Sequence, residues 1–460
     1  MNIYVDNSYT TCMDASEKVI SILYDKLSFY QPGFKYSHLY KRGLWDGKTR
    51  LYSKKSNSFP TGLLPNVLKI LNNLKIKYNL EDFREKPNNS IKLQKLRTLP
   101  KLRDYQEQAL EIVKKKHRGI ISLPMGTGKT RIALEIILQK KVPTLFITPT
   151  VNIALQTYKI FRDVLGRKNV GIIYGGKKEF NKNITIACIA SLTKNKKLKN
   201  PVPKEFFDKI SMIITDEAHH QQAKSYTQLN KTVFQDIYYR YGLSATYWRE
   251  DGSDMELYGV LSDILIEMTC KEAIYREYLV KPKFYMIESK IENNQYDNYQ
   301  QAYKDGIVLN GKRNQIIIDK AKKYQLKPTL VLVREIEHGE YLERYIPGSK
   351  LITGRASGKQ NAKFIKEFEQ GKHNPLIATT VIGEGSDIPS IEVIIMALGM
   401  KAESFHLQRV GRGLRLSPNT GKEGLIVIDV YDRDNSFLER HSKHRKKTYL
   451  KHLTDNVEII

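Results

Sequence analysis

Cysteine is scarce. Three occur in 460 residues, Cys12, Cys188 and Cys270. They are far apart, and none stands at metal-knuckle or redox-pair spacing. A disulfide framework is therefore excluded, and reduced buried thiols in a cytoplasmic protein are expected. Long apolar runs are also missing: no stretch approaches the roughly 18 residues of a membrane span. Met1–Asp6 lacks a basic region followed by an apolar core, so no signal peptide and no membrane partner are expected. Acidic residues fall short of basic ones, 49 Asp and Glu against 76 Lys and Arg, for a formal net charge of +27. Such an excess suits a polyanionic partner, most readily nucleic acid. A lysine-rich solvated surface gives the same number, so charge alone does not decide it.

What is present is organised around Leu123-Pro124-Met125-Gly126-Thr127-Gly128-Lys129-Thr130. It follows the apolar, β-like run Gly119–Ser122 and opens the helical pattern Arg131–Leu138. A strand, a glycine-rich turn, Lys-Thr and a helix make a phosphate cradle: the glycines let backbone N–H groups close on phosphate oxygens, and the helix N-terminus adds partial positive charge. Lys129 is placed for the β- and γ-phosphates and Thr130 for Mg²⁺. The strict pattern has glycine at position 123, where leucine stands. Without other signals, a glycine turn capping a helix is the lesser alternative for the segment.

At this length one core does not suffice, and several domains are expected. Residues 1–95 read as a small α+β accessory unit. Helical spacing covers Ala15 to Tyr30, and Asp46-Gly47 between two aromatic-rich runs is a hairpin signal. Aromatics interleave there with Lys35, Lys41, Arg42, Lys48 and Arg50. Trp45, Lys48 and Arg50 are candidate nucleic-acid contacts, set against an ordinary small sheet with a basic face. A short helix near 65–75 and a polar linker at 84–100 follow.

Residues 96–274 open with Leu102-Arg103-Asp104-Tyr105-Gln106 before a helix from Gln108 to Lys115. Gln106 has the donor and acceptor needed to read an adenine edge, and Tyr105 or Arg103 could stack on the base. Beyond the loop, strands are predicted at 144–150, 184–192, 212–220 and 241–246. Their alternation with helices predicts a parallel sheet with ligand loops at the strand C-termini. Asp216-Glu217 lies at such an end. Asp216 suits a Mg²⁺ ligand and Glu217 suits polarising an attacking water. His219 is read as coupling this site to Ser244 and Thr246.

From 275 to 435 the α/β pattern restarts without a phosphate loop. Residues 286–312 read as polar, followed by a helix at 310–324 and strands at 329–334, 351–354, 375–380, 393–397 and 424–430. Between the last two strands, Gln408-Arg409-Val410-Gly411-Arg412-Gly413-Leu414-Arg415 repeats arginines every third residue, as on one helical face that meets phosphate. Residues 436–460 read as a basic tail, either an amphipathic helix touching phosphates or a solvated end.

In order, Tyr105-Gln106, Gly126–Thr130, Thr148-Pro149-Thr150, Asp216-Glu217-Ala218-His219, Ser244-Ala245-Thr246, Thr379–Pro389 and Gln408–Arg415 resemble the motif series of superfamily 2 helicases. The family's loop tolerates a residue other than glycine where Leu123 stands. Arg249-Glu250-Asp251 is similar to a charged triplet of XPB-like duplex translocases, and the run Tyr40–Tyr52 looks like the accessory domain of phage UvsW-type branch-migration helicases. The resemblance implies an α/β fold of two tandem RecA-like lobes with a small N-terminal domain, ATP and Mg²⁺ as cofactors, and a DNA-dependent ATPase that remodels branched DNA. A monomer is expected, working with recombination or replication proteins, in the host cytoplasm if phage-encoded.

The catalytic set so implied is Lys129, Asp216, Glu217, Gln408, Arg412 and Arg415. The finger role falls to Arg412 and Arg415, and Arg409 matches a structural position. Nucleotide contacts fall on Arg103, Tyr105, Gln106, Pro124–Thr130, Glu384, Gly385 and Asp387. Backbone contacts to a strand fall on Pro149, Thr150, Gly175, Gly176, Ser191, Thr353, Gly354, Thr379 and Thr380. Coupling falls on His219, Ser244, Thr246, Arg249, Glu250 and Asp251. An RNA helicase of the DEAH type, a restriction-system motor subunit and an inactive nucleic-acid-binding scaffold are the competing readings. Against the first, the long C-terminal extensions are missing. Against the second, no paired-carboxylate-plus-lysine nuclease constellation occurs. Against the third, Lys129, Asp216, Glu217, Arg412 and Arg415 are all in place.

Overall fold

The structure, a computed structural model, describes residues 1–192, 202–218, 224–245, 254–290, 296, 298–379, 388, 390–401, 403–417, 420–433 and 435–460. Two compact units emerge, one comprising Met1–Leu123 and Gly128–Glu267 and the other dominated by Met268–Ile460.

The first unit begins with a four-stranded sheet in the order Ser58–Pro60, Tyr9–Met13, Asn2–Val5, Asn79–Asp82. Its alternating pattern puts Ile3, Val5 and Cys12 inward, against Val19 and Leu23 of helix Glu17–Lys26 and Val67 and Leu71 of helix Leu64–Asn73. The helix expected over 15–30 is shorter. It stops at Lys26, and Ser28–Tyr30 instead pairs antiparallel with Lys48–Arg50. Cross-strand pairing of the aromatic run outweighs the helical period. The hairpin signal at Asp46-Gly47 thus marks the return of a longer excursion whose segments Phe34–Tyr36 and His38–Lys41 are helical.

The same unit contains an eight-stranded sheet among the described residues. Its order is Lys177–Lys178, Val170–Tyr174, Ile184–Cys188, Thr144–Thr148, Met212–Thr215, Tyr239–Ser244, Arg118–Ser122, Ile264–Glu267. Every neighbouring pair is parallel except the first. Fully buried runs such as Leu145-Phe146-Ile147 are what helices on both faces require.

The small sheet is docked on this larger one. Arg118 Nη2 donates to the Asn7 carbonyl at 2.7 Å, and Arg240 Nη2 donates to Ser8 Oγ at 2.8 Å. A Cβ on Gly62 would lie 2.0 Å from the Tyr258 carbonyl oxygen, so only glycine allows this approach.

Among the described residues the second unit has seven strands, all parallel, in the order Lys350–Ile352, Leu376–Ala378, Thr329–Leu332, Val393–Met396, Gly424–Arg433, Lys281–Lys290, Glu458–Ile459. The stretch from 286, read as polar, continues the strand to Lys290 before helix Tyr299–Tyr303. The basic stretch read as a tail is helix Ser436–His452, packed on strand Gly424–Arg433. Arg445 is fully buried. Its Nε donates to Asp429 at 2.8 Å and its Nη2 to the Val430 carbonyl at 2.7 Å, while Tyr449 donates to Asp429 at 2.9 Å. Asp432 receives Arg313 Nε at 2.7 Å.

Arg445, inside the stretch expected either to touch phosphates or to be solvated, is therefore part of a buried ion-pair network with Asp429 and Asp432. Arg445→Met should cost about 3 kcal/mol or more by leaving the buried Asp429 carboxylate without its cation, Asp432 keeping Arg313. Chemical denaturation of the two proteins measures it, and a loss below about 1 kcal/mol would mean water replaces the pair.

Candidate nucleotide site and nucleic-acid face

Parallel strands in register bring their C-terminal ends side by side. Ser122 is level with Ser244, Ile147 with Thr215, and Thr148 with Cys188. Most of the described candidates in the first unit lie on this edge, where open α/β sheets bind ligands.

After Ser122 the chain turns before helix Lys129–Lys140. Gly126 and Gly128 have φ of +83° and +80°, conformations that disfavour any side chain. The leucine at position 123 is fully buried, so it is the last core residue of the strand, and its N–H donates to the Ser244 carbonyl at 3.0 Å. Thr127 Oγ1 donates to the Pro124 carbonyl at 2.7 Å, and Lys129 Nζ donates to the Leu123 carbonyl at 2.9 Å. Thr130 is half-buried in the first helical turn, as are Met125 and Gly126 in the loop.

The helix expected from Gln108 begins four residues earlier and runs Asp104–Lys115. Its start is closed by the Arg103 N–H donating to Gln106 Oε1 at 3.0 Å, while Arg103 Nη1 donates to the Tyr105 hydroxyl at 3.2 Å. Gln106 Nε2 lies 2.6 Å from where a Cβ on Gly128 would stand. Arg103, Tyr105, Gln106 and Gly128 thus form one cluster.

Asp216 follows strand Met212–Thr215, and its N–H donates to the Ile147 carbonyl at 2.8 Å. Glu217 has φ of +47° and donates its N–H to Asp216 Oδ1 at 3.0 Å. The protein packed around Asp216, and then the neighbouring Glu217 carboxylate, push its pKa up to about 7. Lys129 pulls the other way, which places the ammonium within electrostatic reach of the carboxylate.

A carboxyl raised in the fold stabilises it while protonated, and that contribution is lost as pH rises through the folded value. Stability of the nucleotide-free protein should therefore fall from about pH 4 to 7 through this residue. Thermal melts across that window should lose part of their slope in Asp216→Asn, and an unchanged slope would refute the assignment.

Tyr226, which motif reading missed, is buried in helix Lys224–Thr232 with a hydroxyl pKa driven upward by burial and then by Asp216. Only the helical phase of the segment after the acidic pair could have signalled it.

Along the same edge, Thr150 caps helix Val151–Leu165 by accepting the Ile153 N–H at 3.5 Å, directly after Pro149. Gly175 N–H donates to Ser191 Oγ at 3.0 Å, and a Cβ on Gly175 or Gly176 would meet nothing within 4 Å. Backbone is thus open to a ligand beside a hydroxyl. In the second unit, the Thr379 N–H donates to the Ile352 carbonyl at 3.2 Å and Asn361 Nδ2 to the Thr353 carbonyl at 3.1 Å. Thr353, Gly354 and Thr379 are thereby grouped at adjacent strand ends.

Gln408, Arg409 and Arg412 lie on helix Glu403–Gly413, with Arg409 buried. Arg415 does not share that helical face: the helix ends at Gly413, and the Arg415 N–H reaches the Arg412 carbonyl at 3.4 Å. His219, Thr246, Arg249, Glu250, Asp251, Thr380, Glu384, Gly385 and Asp387 lie outside the described residues.

In the accessory domain two expected phosphate ligands are already paired. Lys48 Nζ donates to Asp25 at 2.9 Å, and Arg50 engages Asp46 through both terminal nitrogens. The Trp45 indole N–H donates to the Lys48 carbonyl at 3.0 Å, so Trp45 braces the turn. Asp25 comes into range of Lys48 from 23 residues away, whereas Asp46 stands four residues before Arg50 on the same turn. Of the three cysteines, Cys12 and Cys188 are buried and Cys270 is half-buried. No helix among the described residues is long and apolar enough to cross a membrane.

Two parallel-sheet units, the first with a phosphate loop set beside an acidic strand end, define a helicase motor, an ATP-hydrolysing class of nucleic-acid enzyme. The chain belongs to the superfamily 2 helicases. Residues 99–249 match the family described as the Type III restriction enzyme res subunit, and residues 286–417 match the helicase conserved C-terminal domain. Residues 2–81 match the N-terminal family of the DNA helicase UvsW.

The DNA 3'-5' translocase XPB2 of Sulfurisphaera tokodaii is 27% identical over 71% of this chain and 80% of its own length. The ATP-dependent DNA helicase uvsW of Enterobacteria phage T4 is 24% identical over 97% of this chain and 94% of its own. In fold, the chain is similar to S. cerevisiae Dbp5 bound to RNA and ADP BeF3, with a TM-score of 0.56 at 16% identity, covering 77% of this chain and 88% of that one.

Proposed function

We propose that this helicase is a DNA translocase acting on branched or duplex DNA, where it drives branch migration, fork regression and unwinding. The observation that carries the reading is the accessory domain. Residues 2–81 match the UvsW N-terminal family and are seated on the ATP-binding unit through Arg118 and Arg240. A motor with a duplex-holding domain on its catalytic unit is suited to junctions.

The cradle fits ATP with Mg²⁺, because two left-handed glycines free the loop backbone and a buried lysine stands beside the acidic pair. Lys129 would hold the β- and γ-phosphates, and Thr130 with Asp216 would hold the metal, which supplies charge neutralisation at the phosphates. Gln106 would orient the base, and Glu217 would take the proton of the attacking water. The resemblance assigns Arg412 and Arg415 to stabilising charge on the transferring phosphoryl, with Gln408 beside them. Pro149, Thr150, Gly175, Gly176 and Ser191 would touch strand backbone, as would Thr353, Gly354 and Thr379. Such contacts carry no sequence information, which a motor working on any sequence requires.

The test compares ATPase stimulation and strand displacement on single-stranded DNA, duplex, fork, four-way junction and RNA duplex. Forks and four-way junctions should stimulate most. Strong preference for RNA would overturn the reading.

A further inference from the structure

The excursion between strands Ser28–Tyr30 and Lys48–Arg50 presents an apolar tip with a basic rim. Phe34 forms its base, stacked on Tyr30 at 4.8 Å, met edge-on by Tyr40 at 4.8 Å, and lying over Gly47, where a Cβ would come within 2.3 Å of the ring. Backbone bonds close the rest: the Gln31 N–H reaches the Gly47 carbonyl at 2.8 Å, and the Leu44 N–H reaches the Leu39 carbonyl at 3.0 Å. On this braced base Tyr36, Leu39 and Leu44 are 86%, 54% and 66% exposed. No acidic residue occurs from Gln31 to Trp45, whereas Lys35, Lys41 and Arg42 do. This differs from the adjoining turn, where Lys48 and Arg50 are neutralised by Asp25 and Asp46.

We propose that this tip stacks on the terminal base pair of a duplex arm at a DNA branch, with Tyr36, Leu39 and Leu44 against the base faces and Lys35, Lys41 and Arg42 on the flanking phosphates. An open base-pair end offers such a surface: a flat apolar face with no obligatory hydrogen bonds, bounded by negative charge. Aromatic and aliphatic side chains stack on or wedge against bases without sequence preference. A rigid tip loses little freedom on contact. The proposal rests on the DNA-motor reading and names the part of the branch that the accessory domain meets.

The test uses the full chain carrying Tyr36→Ser, Leu39→Ser and Leu44→Ser, with 2-aminopurine in the terminal base pair of one fork arm. Affinity for the fork should fall roughly tenfold, and the quenching of 2-aminopurine expected when Tyr36 of the unaltered chain stacks on it should vanish. ATPase stimulation by single-stranded DNA should be unchanged. Lys35→Glu, Lys41→Glu and Arg42→Glu together should lower the salt dependence of fork binding by about two to three ions. Unchanged fork affinity and fluorescence in the serine variant would overturn the proposal, as would loss of self-association or protein binding in place of DNA binding. If the triple variant melts early, the same measurements on Tyr36→Ser alone decide. A failure of the motor reading looks different: no DNA would stimulate the unaltered chain's ATPase.

Discussion

Lys129→Ala should abolish nucleic-acid-stimulated ATP hydrolysis, with kcat falling by on the order of 10³ or more, while DNA binding persists. The lysine is 91% buried, starts its helix directly after a left-handed glycine, and lies within electrostatic reach of Asp216. Its ammonium donates to the Leu123 carbonyl at 2.9 Å, inside the loop that must close on phosphate. Alanine removes the Lys129 ammonium from the loop and leaves the proposed DNA contacts along the strand ends untouched. Turnover, filter binding to a fork and a thermal melt, measured together, separate these consequences. Lys129→Arg should also fail to hydrolyse, since a planar fork does not replace a point charge in a loop of this size. Retained turnover in the alanine variant would remove the phosphate-loop assignment.

Much of the strand-end edge that carries the candidate site was legible because its signals are local. A glycine pair with φ of +83° and +80° is written as Gly-Thr-Gly, and buried parallel strands are written as apolar runs such as Ile184–Cys188. Leu123, a departure from the strict pattern, proves to be a core residue closing the strand. What was not legible depends on partners distant in sequence. Arg445 looks like a phosphate ligand until Asp429 and Asp432 are brought under its helix. Lys48 looks free until the fold brings Asp25 beside it, whereas the Asp46–Arg50 pair is local and could have been read. The 15–30 helix was overextended because aromatic residues fit either period, and the neighbouring strand decided. Charge density in the sequence was thus a poor guide to which cations are available. Exposure and ion pairing move the candidate DNA contact from residues 45–50 to residues 35–44.

Glu217→Gln should lower kcat by about 10²–10⁴ while leaving ATP binding and the Mg²⁺ requirement unchanged. Glu217 is held in a left-handed conformation by its N–H bond to Asp216, and the following Ala218 is fully buried. Backbone and side-chain volume are therefore preserved by glutamine, which loses only the ability to accept a proton. Asp216→Asn should behave differently. Removing a metal-ligand oxygen charge weakens Mg²⁺ binding, so turnover should recover in part at high Mg²⁺. A Mg²⁺ titration of both variants at saturating ATP therefore assigns the two neighbouring carboxylates separately. A Glu217→Gln enzyme that turns over near the unaltered rate would leave Glu217 as a capping residue. A variant whose defect is cured by Mg²⁺ would exchange the roles of the pair. The present order is supported by Asp216, which follows Thr215 directly and stays within electrostatic reach of Lys129.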